Sequence, residues 1–336
     1  MSETVESGTT RTELSGGRYT LGEKIGEGGN GSVYRAHHAL LRRPTAIKVV
    51  LPEKVGAETL QRFEREVQAM SQLTHWNTVA VYDYGNSSSG VFYYAMEYLD
   101  GINLENLVID HGMLPADRVI AVLTQVCAAL GEAHRRGIIH RDIKPANIIL
   151  CERGDVPDVA KVVDFGLAKE IDSSSQDTTH SILGTPAYIA PEAVTDPAAI
   201  GPGADIYALG AVGYFLLTGR RVFEAKTTVE LCIMHVTATP KPPSLMTTKR
   251  IPPELEALIL RCLAKSPSER PATAAELAKL LREIPPARDW SESEAVQWWS
   301  DFRKLPKQPA SSMPTLTISV DLAARAEDGD ESYLQP

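Results

Sequence analysis

The sequence predicts an α+β fold of two lobes, a small β-rich lobe with one helix followed by a larger α-helical lobe. Three observations predict it. Short β-branched runs broken by glycine or polar turns, "RYTLGEKIGEG", "GSVYRAHH" and "TAIKVVL", read as an antiparallel meander from Arg18 onward. One helical stripe, Leu60, Phe63, Val67, Met70 and Leu73, interrupts the strand pattern within 57–73. More strands are expected at 78–84 and 91–98. After "MEYLDG" the pattern turns helical, through 103–136 and again across 205–283.

The elements group into segments. Residues 1–17 are rich in Ser, Thr, Gly and Glu and are expected to be disordered. A central domain spans 18–285, with the β-rich lobe at 18–96, a joint at 97–101 and the helical lobe at 102–285. Residues 286–305 contain "DWSESEAVQWWSDFRKL", a short helix with a Ser291–Glu294 capping box. Trp290, Trp298 and Trp299 in this stretch either dock on the large lobe or form a patch for a partner protein. From 306 to 336 the chain is Pro/Ser-rich and then acidic, expected to be mostly disordered apart from a strand at "TLTISVDL".

Composition excludes several classes. The 336 residues are 43% apolar and 23% charged, ordinary for a chain with a real core. A net charge of −9 argues against nucleic-acid or membrane-surface binding through bulk positive charge. Cys127, Cys151, Cys232 and Cys262 are scattered without metal-ligand spacing and read as buried reduced thiols of a cytoplasmic protein. The first eighteen residues lack the apolar core of a signal peptide. The longest apolar run, Ile206–Leu217, falls short of the ~20 residues that span a bilayer, and reads as a buried helix. A soluble chain without a membrane segment is expected.

The chemistry gathers in short motifs. "GEGGNG" puts Gly26, Gly28 and Gly31 in a G-x-G-x-x-G pattern. Dinucleotide-binding folds share this pattern, but there a helix follows; here the strand "SVYRA" follows. A glycine loop between two strands has backbone amides free to cover a triphosphate. Lys48 stands in the apolar strand "AIKVV". Glu66 lies on the core-facing stripe of the 57–73 helix, where a buried carboxylate needs a cation, and Lys48 is the candidate. "HRDIKPAN" places His140, Arg141, Asp142, Lys144 and Asn147 in one loop. Asp142 can accept the proton of an incoming hydroxyl, and Lys144 can steady a transferred phosphoryl group. Asn147 and Asp164 of "VVDFG" offer hard oxygen ligands suited to Mg²⁺, with Mn²⁺ as a substitute.

In this order the motifs resemble those of the eukaryotic-type (Hanks-type) Ser/Thr protein kinases, with bacterial members suggested by "MEYLDG" and "GTPAYIAPE". The resemblance covers about residues 19–285. It implies the bilobal protein-kinase fold, ATP with Mg²⁺ as cofactors, and protein substrates. Asp142, Lys144, Lys48 and Glu66 would carry the catalysis. Ile25, Gly26, Gly28, Gly31, Val33, Ala46, Lys48, Met96, Glu97, Leu99 and Ile149 would hold ATP, with Met96 at the gatekeeper position. Phe165, His140, Met70 and Val81 would stack as an internal spine. Asp205 would brace the catalytic loop, and Glu192 would pair with Arg270. Lys144 and Thr185 imply Ser/Thr rather than Tyr specificity. Two departures are small: "HWN" at 75–77 replaces His-Pro-Asn, and Tyr207 stands where many members have Trp.

A scaffold on the same fold normally loses its equivalents of Lys48, Asp142 or Asp164, and all three are present. Small-molecule phosphotransferases of related fold lack the "GTPAYIAPE" segment, which forms the peptide-substrate platform. The polar run Ser173–Ser181 lies between Asp164 and the "APE" ending at Glu192. Phosphate there would add about −1.5 to −2 charge for Arg141 to recruit. Thr179 is the first candidate for autophosphorylation, followed by Thr178 and Ser181.

Overall fold

A computed structural model describes residues 12–14, 19–28, 31–50, 64–65, 67–86, 91–165 and 186–305. These fall into two compact units. One holds the described residues up to Ser71 together with Ala80–Tyr98; the other holds Gln72–Val79 and the described residues from Leu99 onward.

The smaller unit is an antiparallel sheet in the order β1-β2-β3-β4-β6-β5: β1 (Thr12–Leu14), β2 (Tyr19–Gly28), β3 (Gly31–His38), β4 (Pro44–Val50), β5 (Val81–Asn86) and β6 (Phe92–Glu97). Alternation sorts the strands' side chains. Ile47 and Val49 join Tyr19, Leu21, Ala36, Tyr93 and Ala95 in one core, while Ala46 and Lys48 take the opposite face of β4. β6, "FYYAME", is buried along its whole length, as suits a strand flanked on both edges. Helical residues at 64–65 and 67–71 bury Val67 and Met70 of the expected stripe.

One segment differs from its sequence-based expectation. Thr12–Leu14, inside the stretch expected to be disordered, pairs with β2 through Thr12↔Leu21 and Leu14↔Tyr19. The outer edge of β2 offers unpaired N–H and C=O groups, and such an edge templates a further strand whatever the local composition. The expectations for 1–11 and 306–336 lie outside the described residues.

The larger unit holds a three-stranded sheet, β7 (Gly101–Asn103), β8 (Ile148–Arg153) and β9 (Val156–Val162), and helices α1 (Leu104–His111), α2 (Ala116–Arg135), α3 (Pro191–Thr195), α4 (Pro202–Thr218), α5 (Thr228–Thr237), α6 (Pro253–Cys262), α7 (Ala274–Glu283) and α8 (Glu292–Phe302). α4, apolar on every side, is the buried centre, as a helix without a polar face must be. Gly210 and Gly213 let α6 approach it: an added Cβ would come within 2.5 Å of Cys262 Cβ and of Ile259 Cδ1 respectively. α2 packs on α4, α7 and β9. Its Glu132 carboxylate takes the backbone N–H groups of Thr74 and His75, joining the 72–79 segment to this unit. No helix among the described residues is long and apolar enough to cross a membrane. The four cysteines are free and buried.

The C-terminal tryptophans dock on this unit. Ser291 caps the N-terminus of α8, its hydroxyl accepting the Glu294 N–H. Trp299 is 2% exposed, and its indole N–H donates to Asp158 Oδ1 at 2.9 Å. Trp290 donates to Asp158 Oδ2 at 3.0 Å. Arg118 reaches the same carboxylate bidentately, at 3.0 and 2.7 Å, its guanidinium 4.3 Å from the Trp290 ring centre and 4.4 Å from that of Trp298. Asp158 has φ +53°, unusual for a non-glycine residue, and four side-chain donors hold it there.

Candidate active site

In the larger unit, the segment 138–147 leaves α2, ends in the short turn Pro145–Asn147 and enters β8. Asp205, in the first turn of α4, organises it. Its carboxylate accepts the backbone N–H of His140 at 2.8 Å and of Arg141 at 2.9 Å, and the His134 Nε2 lies 2.8 Å away. Arg141 has φ +61°, so these bonds hold backbone that would otherwise relax.

His140 is fully buried. Its Nδ1 accepts the Asp142 N–H at 3.3 Å, which leaves Nε2 to donate to the Val163 carbonyl at 3.1 Å. Burial lowers its pKa, against the opposing influence of Asp205, Asp142 and Asp164. The ring packs against Phe165, centroids 4.5 Å apart and planes tilted by 41°. Thus His140 links the 140–147 loop to the 163–165 segment, where Asp164 has φ +57°.

Asp142, Lys144 and Asn147 converge. Lys144 Nζ sits 2.8 Å from Asp142 Oδ2, and Asn147 Nδ2 donates at 2.9 Å to both Oδ2 and the backbone carbonyl of Asp142. The Val163 N–H bonds the Asn147 carbonyl at 3.0 Å, which places Asp164 one residue beyond a point tied to Asn147. Because the Asn147 NH₂ is committed to Asp142, its amide oxygen is the end suited to a cation. Glu192 and Arg270 form a bidentate pair at 2.7 and 2.8 Å. Arg270 also donates to the carbonyls of Gly203, Ala264 and Lys265, so the buried guanidinium is fully satisfied.

In the smaller unit, Lys48 is 9% exposed on β4, in register with Val33 and Tyr94. Ala46 pairs with Met96, both buried, and Thr45 with Glu97. Gly26 pairs with Val33, and Gly28 faces Gly31 where β2 passes to β3; Gly31 takes φ +146°, a conformation rarely open to other residues. Ile25 is 44% exposed. The Glu97 N–H bonds the Ala80 carbonyl. Leu99 and Ile149, in the larger unit, are half-buried, and Ile149 pairs with Asn103.

Glu66, and with it the expected Lys48–Glu66 pair, lies outside the described residues, as do Thr178, Thr179, Ser181 and Thr185. Sequence reasoning missed His134, Arg118 and Asp158. The available signal was a charged residue at a core position of α2: Arg118 precedes Val119 and stands four residues before Val122, and it is buried with them.

The family model for the protein kinase domain matches residues 19–281. The chain is 36% identical over 304 residues to the serine/threonine-protein kinase pkn3 of Myxococcus xanthus, covering 88% of this chain and 55% of that protein. It is 38% identical over 281 residues to the serine/threonine-protein kinase PknB of Mycobacterium tuberculosis, covering 82% and 44%. The chain thus spans about half the length of these curated relatives. Among solved structures, the kinase domain of Mycobacterium tuberculosis PknI superposes with a TM-score of 0.62 at 28% identity, over 84% of this chain and 99% of that one. Residues 1–466 of Rad53, solved in complex with AMP-PNP, superpose with a TM-score of 0.65 at 25% identity, over 78% and 64%.

Proposed function

The chain belongs to the protein kinase domain family, and from that premise we propose that it transfers the γ-phosphoryl group of ATP to Ser and Thr hydroxyls of proteins. One observation carries the reading: Asp142, Lys144 and Asn147 meet within hydrogen-bonding distance on a loop that Asp205 holds by two backbone bonds. Phosphoryl transfer leaves the protein little covalent work, so positioning and charge neutralisation dominate.

Asp142 accepts the substrate hydroxyl and orients its oxygen for attack. Lys144, beside it, neutralises charge on the transferred group, and Lys48, paired with Glu66, does so at the α- and β-phosphates. In the smaller unit, Ile25, Gly26, Gly28, Gly31, Val33, Ala46, Met96 and Glu97 are assigned to the nucleotide; in the larger, Leu99 and Ile149. Asp164 and the Asn147 amide oxygen form a hard donor set that fits Mg²⁺, with Mn²⁺ as a substitute. The metal would offset phosphate charge. Lys144 and Thr185 support Ser/Thr specificity.

Proteins are the proposed substrates, and the acidic chain with buried thiols suits the cytoplasm. The Trp-rich segment is read as an internal brace; a protein partner there is the alternative. Activation by autophosphorylation at Thr179, Thr178 or Ser181 belongs to the same reading. The decisive experiment follows labelled phosphate from ATP to a protein acceptor. Lys48→Met and Asp142→Asn should each abolish transfer, and unaltered activity in either would overturn the role given to that residue.

A further inference from the structure

His235, on α5, is fully buried, an expensive location for an imidazole without a purpose. Its Nδ1 lies 2.9 Å from the Tyr207 hydroxyl of α4. Phe223 closes one side of the ring edge-on at 5.0 Å, and Lys265 Nζ donates at 2.7 Å to the His235 carbonyl. Nε2 is buried with no hydrogen-bond partner among the described residues, and α4 and α5 both pack against the turn Pro186–Tyr188, which holds Ala187. Burial and the nearby Lys265 ammonium push the imidazole pKa down to about 4, so the ring carries one proton at neutral pH. With the Tyr207 hydroxyl as donor to Nδ1, that proton sits on Nε2.

Tyr207 extends the connection. Its ring lies 4.9 Å from the Arg270 guanidinium, which holds Glu192 bidentately. Glu192, Arg270, Tyr207 and His235 therefore form one chain of polar contacts joining α3, α4 and α5, and α4 and α5 pack against the 186–188 turn. Tyr207 follows Asp205 by two residues, a rotation of about 200° around the helix. One side of α4 thus supports the 140–141 loop while the other supports the turn that follows Thr185.

We propose that His235 and Tyr207 are positioning residues for the protein substrate, their hydrogen bond setting the 186–188 turn against α4 and α5. This rests on the Ser/Thr kinase reading above, in which "GTPAYIAPE" is the peptide platform. Other aromatic residues would fill the Tyr207 site, but the hydroxyl gives His235 its orientation.

The test compares unaltered chain, Tyr207→Phe and Tyr207→Trp, with myelin basic protein as acceptor. Phe removes only the hydroxyl, whereas Trp returns an N–H donor. Losing one buried hydrogen bond should raise the KM for the acceptor about tenfold in Tyr207→Phe. The KM for ATP, kcat and the slow hydrolysis of ATP without acceptor should stay unchanged, and Tyr207→Trp should recover acceptor KM. His235→Gln, measured alongside, should raise acceptor KM as well. An unchanged acceptor KM in Tyr207→Phe overturns the proposal, as does a rise in which ATP KM and hydrolysis move equally. Absence of transfer by the unaltered chain would instead overturn the kinase reading.

Discussion

Asp117 and Asp289 cap each other's backbones. The Asp289 carboxylate accepts the N–H of Ala116 at 2.9 Å and of Asp117 at 3.0 Å. In return the Asp117 carboxylate accepts those of Ala287, Arg288 and Asp289 at 2.8, 2.7 and 3.3 Å. The first turn of α2 needs such acceptors, because its own N-cap, Pro115, supplies no side-chain oxygen. A segment beyond the matched family domain thereby completes the helix that leads into the 138–147 loop.

Removing that cap should be measurable. Asp289→Ala should lower unfolding stability by about 1–2 kcal/mol, and Asp289→Ser, which can still cap, by less. Urea denaturation of both proteins checks this; equal losses would remove capping as the cause.

Asp158 carries a heavier load. Asp158→Ala would leave the buried Arg118 charge without its carboxylate and two indole N–H groups without acceptors, a loss of about 3–5 kcal/mol. Asp158→Asn keeps an acceptor oxygen and should lose less. Deleting 287–336 should destabilise the chain too. A deletion that leaves the urea midpoint unchanged would show that the tryptophans do not brace this unit, and would favour a partner patch.

Acid should destabilise the fold through its buried histidines. His235 has a native pKa of about 4, against 6.5 for an unperturbed imidazole. Between those values the unfolded chain binds the extra proton. Stability is therefore complete above about pH 6.5 and falls by roughly 1.4 kcal/mol per pH unit as acid approaches pH 4. The lowered pKa of His140 adds in the same direction. Stability measured from pH 7 to 4.5 should slope less steeply in His235→Gln; identical slopes would remove His235 from the account.

Phosphate on the polar run should control activity. Thr178→Ala/Thr179→Ala protein, assayed beside the unaltered chain with mass spectrometry of both, should carry less phosphate between 173 and 181 and transfer more slowly. Full activity from a phosphate-free run would exclude the switch.

The residues of the candidate site were legible because they are local. Asp142, Lys144 and Asn147 stand within six residues, and the ring of His140 needs only the neighbouring 163–165 segment to complete its role. Glycine spacing and the following strand were likewise readable in "GEGGNG". The pairing of Arg270 with Glu192 was anticipated through family resemblance, since nothing in local spacing joins residues so far apart. Asp158 shows the limit: on sequence it sits in an unremarkable hairpin, yet its partners come from α2 and from the far C-terminal segment. No period of 2 or 3.6 encodes a carboxylate shared by Arg118, Trp290 and Trp299.

By itself, then, the sequence determined the two-lobed architecture, the order of the motifs and the residue types available for the proposed phosphoryl transfer, all of which follow from short-range periodicity and spacing. Only the tertiary structure decided that Trp290 and Trp299 would close on Asp158, that Thr12–Leu14 would join the sheet, and that the Tyr207 hydroxyl would meet the His235 ring. Each depends on a donor meeting an acceptor across many intervening residues, where burial makes an unpaired polar group costly and so selects the partner.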